Sequence, residues 1–328
     1  MKIGDLPTPA LLVQQDVLEQ NLAEMSAALP GDRLRPHVKA HKCTELAKRQ
    51  AANGHRNFTC ATIRECEGMV AAGLGHDLLL ANEVLDTRRL GALVADGARV
   101  TVAVDSHETV DAAATGGIRE ALIDVNVGLR RCGCAPGSAG DLATYARDRG
   151  LEVRGVMGYE GHVVGLESGS ERAERCETAM QLLLQAHEDV GGELISAGGT
   201  GTYACNTWAT EIQAGSYALM DSAYGRLGLP FKQALFVLAT VVSSSDEWSV
   251  ADAGLKSFGM DHGKPDLPGS DVWFCSDEHT TFAPRRGVGD RVELVPAHVD
   301  PTMAYHERLH LVSGDVVLDT WPIDMRGW

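Results

Sequence analysis

The sequence predicts an α/β protein: a (β/α)8 barrel followed by a smaller β domain. Three observations carry this. Through the first two thirds of the chain, short apolar runs alternate with helix-like segments, the mark of a parallel sheet. The alternation repeats over about 230 residues, which suits a closed eight-unit barrel better than a small open sheet. Beyond about residue 235 the pattern changes to short strand-like runs broken by Gly, Pro and Asp turns.

Taken in order, the apolar runs are Ala10–Val13, Leu34–Val38, Phe58–Thr62, Asp77–Ala81, Val100–Val104, Ala121–Val127, Val153–Tyr159, Leu194–Ala197 and Glu211–Ala214. Val17–Ala28, Cys43–Asn53, Ile63–Ala72, Ala139–Arg149 and Glu171–Val190 read as the helices between them. The C-terminal strands are expected at Phe236–Ser243, Trp248–Asp252, Val272–Phe274, Arg291–Leu294, Leu309–Val312 and Val316–Asp319, with no helix among them. The barrel is therefore expected over 10–235 and the β domain over 236–328. No internal repeat or low-complexity segment interrupts this order.

At 328 residues the chain can bury one large domain and a smaller one. Hydrophobic residues make up 44% and charged residues 23%, as in ordinary globular proteins. A net charge of −16 argues against nucleic acid or an anionic membrane as partner, although a local phosphate site remains compatible with it. No apolar stretch has the length of a membrane helix, and Met1-Lys2-Ile3-Gly4-Asp5 lacks a signal-peptide core, which predicts a cytoplasmic location. The 8 cysteines are scattered and read as reduced thiols, with no second close pair to complete a zinc site around Cys132-Gly-Cys134.

The chemistry concentrates in a few motifs. Arg35-Pro36-His37-Val38-Lys39-Ala40-His41-Lys42 closes an apolar run. Read as a strand, it turns only one of its two lysines inward. A Lys held in a cleft near other cations becomes a nucleophile for carbonyls. Taken alone, such a run is more often an exposed basic turn, because surface Lys and His are common. Gly198-Gly199-Thr200-Gly201-Thr202 and Gly215-Ser216-Tyr217 follow late barrel runs, where function collects. Glycines let backbone N–H groups approach a phosphate and hydroxyls add donors, though a single Gly-rich turn is usually a plain loop. In Pro296-Ala297-His298-Val299-Asp300 an extended backbone puts His298 and Asp300 on one face, able to hold one cation together. An isolated His-x-Asp pair is more often unrelated to metal. Arg130, Arg131, Tyr159 and His162 lie just after two other barrel runs, where a surface ion pair or a plain loop histidine would look the same.

These motifs, with Thr8-Pro9-Ala10-Leu11-Leu12-Val13, Glu211–Asp221 and Ser276-Asp277-Glu278-His279, stand in the order found in the D-threonine aldolase and D-serine dehydratase family, which the chain resembles over essentially its whole length. The resemblance implies an alanine-racemase-like fold whose barrel binds pyridoxal 5′-phosphate and whose β domain is joined by the first nine residues. It implies Lys39 as the cofactor lysine. It implies Arg131, rather than Arg130, and Tyr159 beside the cofactor, and a phosphate cup formed by Gly199, Thr200, Gly201, Thr202, Gly215, Ser216 and Tyr217. It also implies His298 with Asp300 as ligands of a divalent metal; the base is then His162, from its place after a barrel run, or a metal-bound hydroxide. A His–Asp pair without a thiolate suits Mn²⁺ or Mg²⁺ as well as Zn²⁺. Asp277, Glu278 and His279 would then orient the metal's waters. The expected activity is cleavage of D-3-hydroxy amino acids to glycine and an aldehyde by a homodimer. A dehydratase, a racemase and a non-catalytic cofactor-binding barrel are the rival readings, and Asp300 in place of a cysteine tilts the first choice toward the aldolase.

Overall fold

The computed structural model describes residues 1–328 and divides into two compact units. One comprises residues 26–39, 47–215 and 327–328; the other comprises residues 1–25, 40–46 and 216–326.

The strands, in chain order, are β1 (Ala10–Gln14), β2 (Asn57–Cys60), β3 (Asp77–Leu80), β4 (Val100–Val104), β5 (Glu120–Asp124), β6 (Glu152–Gly158), β7 (Leu194–Ala197), β8 (Glu211–Ile212), β9 (Leu235–Ser244), β10 (Ser249–Ala251), β11 (Asp271–Cys275), β12 (Thr280–Ala283), β13 (Arg291–Leu294), β14 (Arg308–Ser313) and β15 (Val316–Pro322).

In the first unit β2 to β8 form one parallel sheet in sequence order. Its edges are joined by the extended segment 34–37, which bridges Ile212 through Leu34 and Thr59 through His37. The Arg35 N–H donates to the Ile212 carbonyl and the Thr59 N–H to the Pro36 carbonyl. The ring therefore closes, with an irregular eighth stave. Pro36 has no N–H to give, so this stave makes single bridges instead of a full ladder. Strand-to-helix turns are capped from the sequence: Thr62, Ser106 and Ser168 each accept the N–H three residues on, worth about 1 kcal/mol apiece.

The barrel interior is layered. Charge fills the end where the strands begin. Arg35, 1% exposed, donates to Glu211 at 2.8 Å and to Asp77 at 3.0 Å. Arg154 reaches the other Asp77 oxygen at 3.1 Å and Thr101 at 2.9 Å. Above this layer Leu79, Ala103, Leu122 and Met157 meet in an apolar one. The strand C-terminal ends above them carry the residues singled out from the sequence, as a barrel requires.

The second unit is a mixed sheet in the order β11-β12-β10-β9-β1-β14-β15, with β13 also on β9. Here the structure corrects the sequence. Ala10–Val13 is not a barrel run: β1 pairs antiparallel with β9 and parallel with β14. Four of its five residues are buried, and a fully apolar run looks the same in any strand covered on both faces. Strand β12 and the helices Arg88–Ala95, His107–Thr115 and Val299–Tyr305 were not anticipated. In the last of these Pro301 sits in the first turn, where its missing N–H costs nothing. No helix is long and apolar enough to cross a membrane.

Candidate active site

Lys39 lies in a 3-10 turn, Val38–Ala40, that follows the irregular stave. Strand alternation therefore does not choose between the lysines, as the sequence suggested. Lys39 belongs to the barrel unit and Lys42 to the other. Lys42 takes a left-handed backbone, φ 50°, and its carbonyl accepts the Met325 N–H. Lys39 Nζ stands 5.8 Å from the Tyr159 ring centroid, and the Arg131 guanidinium stands 5.6 Å from the same centroid. Three predicted residues, from three staves, are thus brought together around one aromatic ring. Cations within about 6 Å of such a ring are attracted by its quadrupole.

His162 is exposed at the rim. A Cβ on Gly128, whose φ is +124°, would stand 2.8 Å from two atoms of the imidazole. Glycine at 128 is thus what allows the loop after β5 to lie against this histidine.

The loop 198–202 is organised by a residue that sequence reasoning passed over. Glu160 is fully buried. Its carboxylate accepts the Thr202 hydroxyl at 2.7 Å, the Gly198 N–H at 3.1 Å and the Asn206 amide at 3.2 Å. Thr202 Oγ1 also accepts the Gly199 N–H at 3.2 Å. Thr202 therefore shapes the loop rather than presenting its hydroxyl to a ligand. Gly201 is glycine because a Cβ there would lie 1.9 Å from the Val164 carbonyl oxygen. Gly199 packs between Val164 and Tyr159: a Cβ there would sit 3.4 Å from the Val164 side chain and 3.5 Å from the ring. Thr200 is buried in the same loop. Gly215 ends the barrel unit, and Ser216 and Tyr217 begin the 3-10 turn Ser216–Ala218 of the other. Tyr217 is buried, its ring 5.7 Å from that of Phe231. An acid following a strand usually reads as surface. The signal for Glu160 was the need of a glycine-rich loop for a buried acceptor.

In the second unit His298 and Asp300 do converge, by a different geometry from the one expected. His298 is the extended N-cap of the helix Val299–Tyr305 and Asp300 lies in its first turn. His298 Nε2 is 3.9 Å from Asp300 Oδ1. Asp221 ties this corner down, accepting the Val299 and Tyr224 N–H groups, both at 2.9 Å. Burial pushes its carboxyl up to about 6, against those two donors and His298; Asp300 nearby adds to the rise.

Asp261 and His262, which the sequence reading missed, join this group. One ligand atom from each of Asp261, His262 and His298 lies within 4.8 Å of the other two. Asp261 Oδ2 is 2.7 Å from His298 Nδ1. The His262 and His298 rings stack at 4.0 Å and 10°. Burial, then the neighbouring His298, lowers the His262 pKa. Burial works against Asp261, but its hydrogen bond with His298 prevails and lowers its pKa. A His and an acid thirty-seven residues apart in a Gly- and Pro-rich stretch carry no periodic signal. By contrast, Asp277 and Glu278 lie in the β11–β12 turn beside Lys256, which is 2.6 Å from Glu278. That turn uses the Ser276-Asp277-Glu278-His279 motif.

Comparison with known proteins follows this geometry. The alanine racemase N-terminal domain model matches residues 13–223, and a serine dehydratase domain model matches 234–312. The chain is 36% identical to a D-threonine aldolase of Arthrobacter sp over 99% of its own length and 94% of the relative's. The chain belongs to the D-threonine aldolase and D-serine dehydratase family. Another family member, the 3-hydroxy-D-aspartate aldolase of Paracoccus denitrificans strain Pd 1222, is 33% identical over 100% of this chain and 94% of that protein. The crystal structure of D-threonine aldolase from Filomicrobium marinum superposes with a TM-score of 0.94 at 33% identity, covering 100% of this chain and 98% of that one. The family's alanine-racemase-like fold is the one described above.

Proposed function

We propose that this chain is a pyridoxal-phosphate-dependent aldolase that cleaves D-3-hydroxy amino acids to glycine and an aldehyde, assisted by a divalent metal. The observation that carries the reading is the convergence of Lys39 and Arg131 on Tyr159 at the barrel mouth. Its full-length similarity to a D-threonine aldolase and a 3-hydroxy-D-aspartate aldolase supports the substrate class.

The residues suit both groups. The cation pair of Lys39 and Arg131 beside Tyr159 suits an anionic ring, and the glycine-rich loop lies against the same tyrosine through Gly199. The separation of His298 Nε2 from Asp300 Oδ1, 3.9 Å, falls within the span of two ligand bonds of about 2.1 Å each. Imidazole with carboxylate suits Mn²⁺, Mg²⁺ or Zn²⁺. When bound, pyridoxal phosphate draws electrons from Cα through its ring, and a divalent cation acidifies a hydroxyl.

The chain's own residues do the rest. Lys39 would hold the cofactor through its side-chain nitrogen. Tyr159 fixes the lateral position of the Lys39 and Arg131 cations. Arg131 offers a permanent positive charge to the anionic edge of the bound ring. The loop 199–201, with Gly215 of the same unit, would receive the phosphate, and Glu160 keeps the loop's shape through Thr202. His162, at the rim against Gly128, accepts the proton of the substrate β-hydroxyl at a ring nitrogen.

The test is product analysis with a panel of D- and L-3-hydroxy amino acids, supplying pyridoxal phosphate and Mn²⁺. Glycine and an aldehyde, from D isomers, are expected. A 2-oxo acid and ammonia would replace this reading with the dehydratase. We take the working species to be a homodimer; sedimentation that shows a fully active monomer at micromolar concentration refutes that.

A further inference from the structure

The Asp261–His262–His298 group can be read in two ways. Either all three side chains hold the ion, or they divide the labour. The stack decides. A ring nitrogen's lone pair lies in the plane of its ring, so an ion bound to His298 lies in that plane. The His262 plane is parallel to it within 10°, the centroids being 4.0 Å apart. Two parallel planes do not meet at a shared ion. Neither ring can give up this arrangement without turning.

The two nitrogens of His298 are also distinct. Nδ1 is 2.7 Å from Asp261 Oδ2, a full hydrogen bond. Nε2 faces Asp300 Oδ1 at 3.9 Å. A neutral imidazole carries one N–H and one lone pair. A carboxylate accepts only, so Nδ1 carries the proton and the lone pair is left on Nε2, on the Asp300 side. Metal-binding histidines are commonly oriented in this way by an acceptor on the other nitrogen, which also makes them better donors.

We propose that Asp261 is a positioning residue: it fixes the tautomer and orientation of His298 so that Nε2 and Asp300 take the ion, while His262 packs against the His298 ring without ligating. The proposal rests on the reading of His298 and Asp300 as the metal pair. It goes beyond that reading in giving Asp261 and His262 separate roles that differ in consequence.

The side chain of Asp261 is 56% exposed and that of His262 is 46% exposed, so both can be replaced without unfolding the protein. The probe is Mn²⁺, its free fraction read by electron paramagnetic resonance on the cofactor-loaded protein. Asp261→Ala should raise the Mn²⁺ Kd about 10- to 100-fold. Asp261→Asn, whose amide oxygen still accepts the Nδ1 proton, should raise it less than about tenfold, recovering the geometry without the charge. His262→Ala should stay within about threefold of the parent, and His298→Ala should abolish binding. Long-range ¹H–¹⁵N spectra of the metal-free protein should show His298 as the Nδ1–H form in the parent and in Asp261→Asn, and lose that signature in Asp261→Ala.

If His262→Ala weakens Mn²⁺ as much as His298→Ala does, His262 is a ligand and the division of roles is wrong. If the parent binds Mn²⁺ and Asp261→Ala binds it equally well, the positioning role is wrong while the metal pair stands. If the parent itself binds no Mn²⁺, the metal reading fails and takes this inference with it.

Discussion

Removing Glu160 should loosen the loop 198–202 and, with it, cofactor binding. The carboxylate serves three N–H or O–H donors in a buried place, the Gly198 N–H, the Thr202 hydroxyl and the Asn206 amide, and more weakly the Cys176 thiol at 3.8 Å. Each donor left buried without an acceptor costs about 1–3 kcal/mol. Glu160→Ala orphans these donors, and water entering the vacated space recovers part of the loss, so about 3–5 kcal/mol is expected. Against a total of about 5–15 kcal/mol that variant is marginal, and Glu160→Gln is the sharper probe. Whichever way its amide is turned, the new NH2 faces at least one donor. One lost bond and one donor–donor contact predict about 1–3 kcal/mol. Urea unfolding of the cofactor-free protein reads this directly. Loop order that binding must restore weakens pyridoxal phosphate about tenfold for every 1.4 kcal/mol, so a Kd about 10-fold higher is expected by spectral titration. A Glu160→Gln protein within about 0.5 kcal/mol of the parent, with unchanged cofactor affinity, would show that the hydrogen bonds around Glu160 do not govern the loop.

Other expectations follow from the same geometry. Lys39→Ala should lose the cofactor's bound absorbance and all turnover while Lys42→Ala keeps the absorbance; borohydride reduction that marks a Lys42 peptide instead would overturn the assignment. Asp300→Ala should lower turnover by about 10²- to 10⁴-fold with the cofactor still bound, chelation should mimic it, and added Mn²⁺ should rescue only the parent. Arg35→Met should cost about 3–5 kcal/mol in chemical denaturation, since it leaves Glu211 buried without its cationic partner, while Asp77 keeps Arg154. Burial would raise the Asp77 pKa, but the Arg35 charge and the hydrogen bonds of Arg154 and Arg35 outweigh it and lower the net value. This carboxylate therefore stabilises the fold fully above its unfolded pKa near ~3.9, and the contribution fades as pH falls toward the lower folded value; acid titration of Asp77→Asn should lack that component.

Much of this fold was legible because parallel barrel strands and amphipathic helices have distinct periods. The helices expected at Val17–Ala28, Cys43–Asn53, Ile63–Ala72, Ala139–Arg149 and Glu171–Val190 lie within two residues of the observed bounds at either end. What failed was the allocation of one strand and the existence of a few short elements. Ala10–Val13 is a strand, but its apolar run could not say that β9 and β14 would claim it. Two helices between strands, Arg88–Ala95 and His107–Thr115, are only eight and nine residues long, too short for a pattern that stands out from a loop. The helix after His298 was hidden by Pro301, which reads as a breaker until its position in a first turn is known.

The site was legible where a residue's chemistry is unusual for its context, and opaque where its role is to serve another residue. Lys39, His298 and Asp300 stand out as nucleophile or ligand types at strand or motif ends. Glu160, Asp221 and Asp261 do not, because nothing local distinguishes an acid that will accept hydrogen bonds across the fold from one that will face water. Yet each of the three explains why its neighbour works. Glu160 holds Gly198 and Thr202 in one turn, Asp221 holds the Val299 N–H and so fixes the two flanking residues, and Asp261 takes one nitrogen of His298 and leaves the other toward Asp300. Such residues are bound to their partners by distance, not by spacing along the chain: forty-two positions separate Glu160 from Thr202, and seventy-eight separate Asp221 from Val299. A motif search recovers nucleophile and ligand types, and only the folded chain reveals the carboxylates hydrogen-bonded around them. That is why the sharper tests of this site fall on Glu160 and Asp261, where the expected change is in the shape and affinity of the site and not in the identity of its reactive groups.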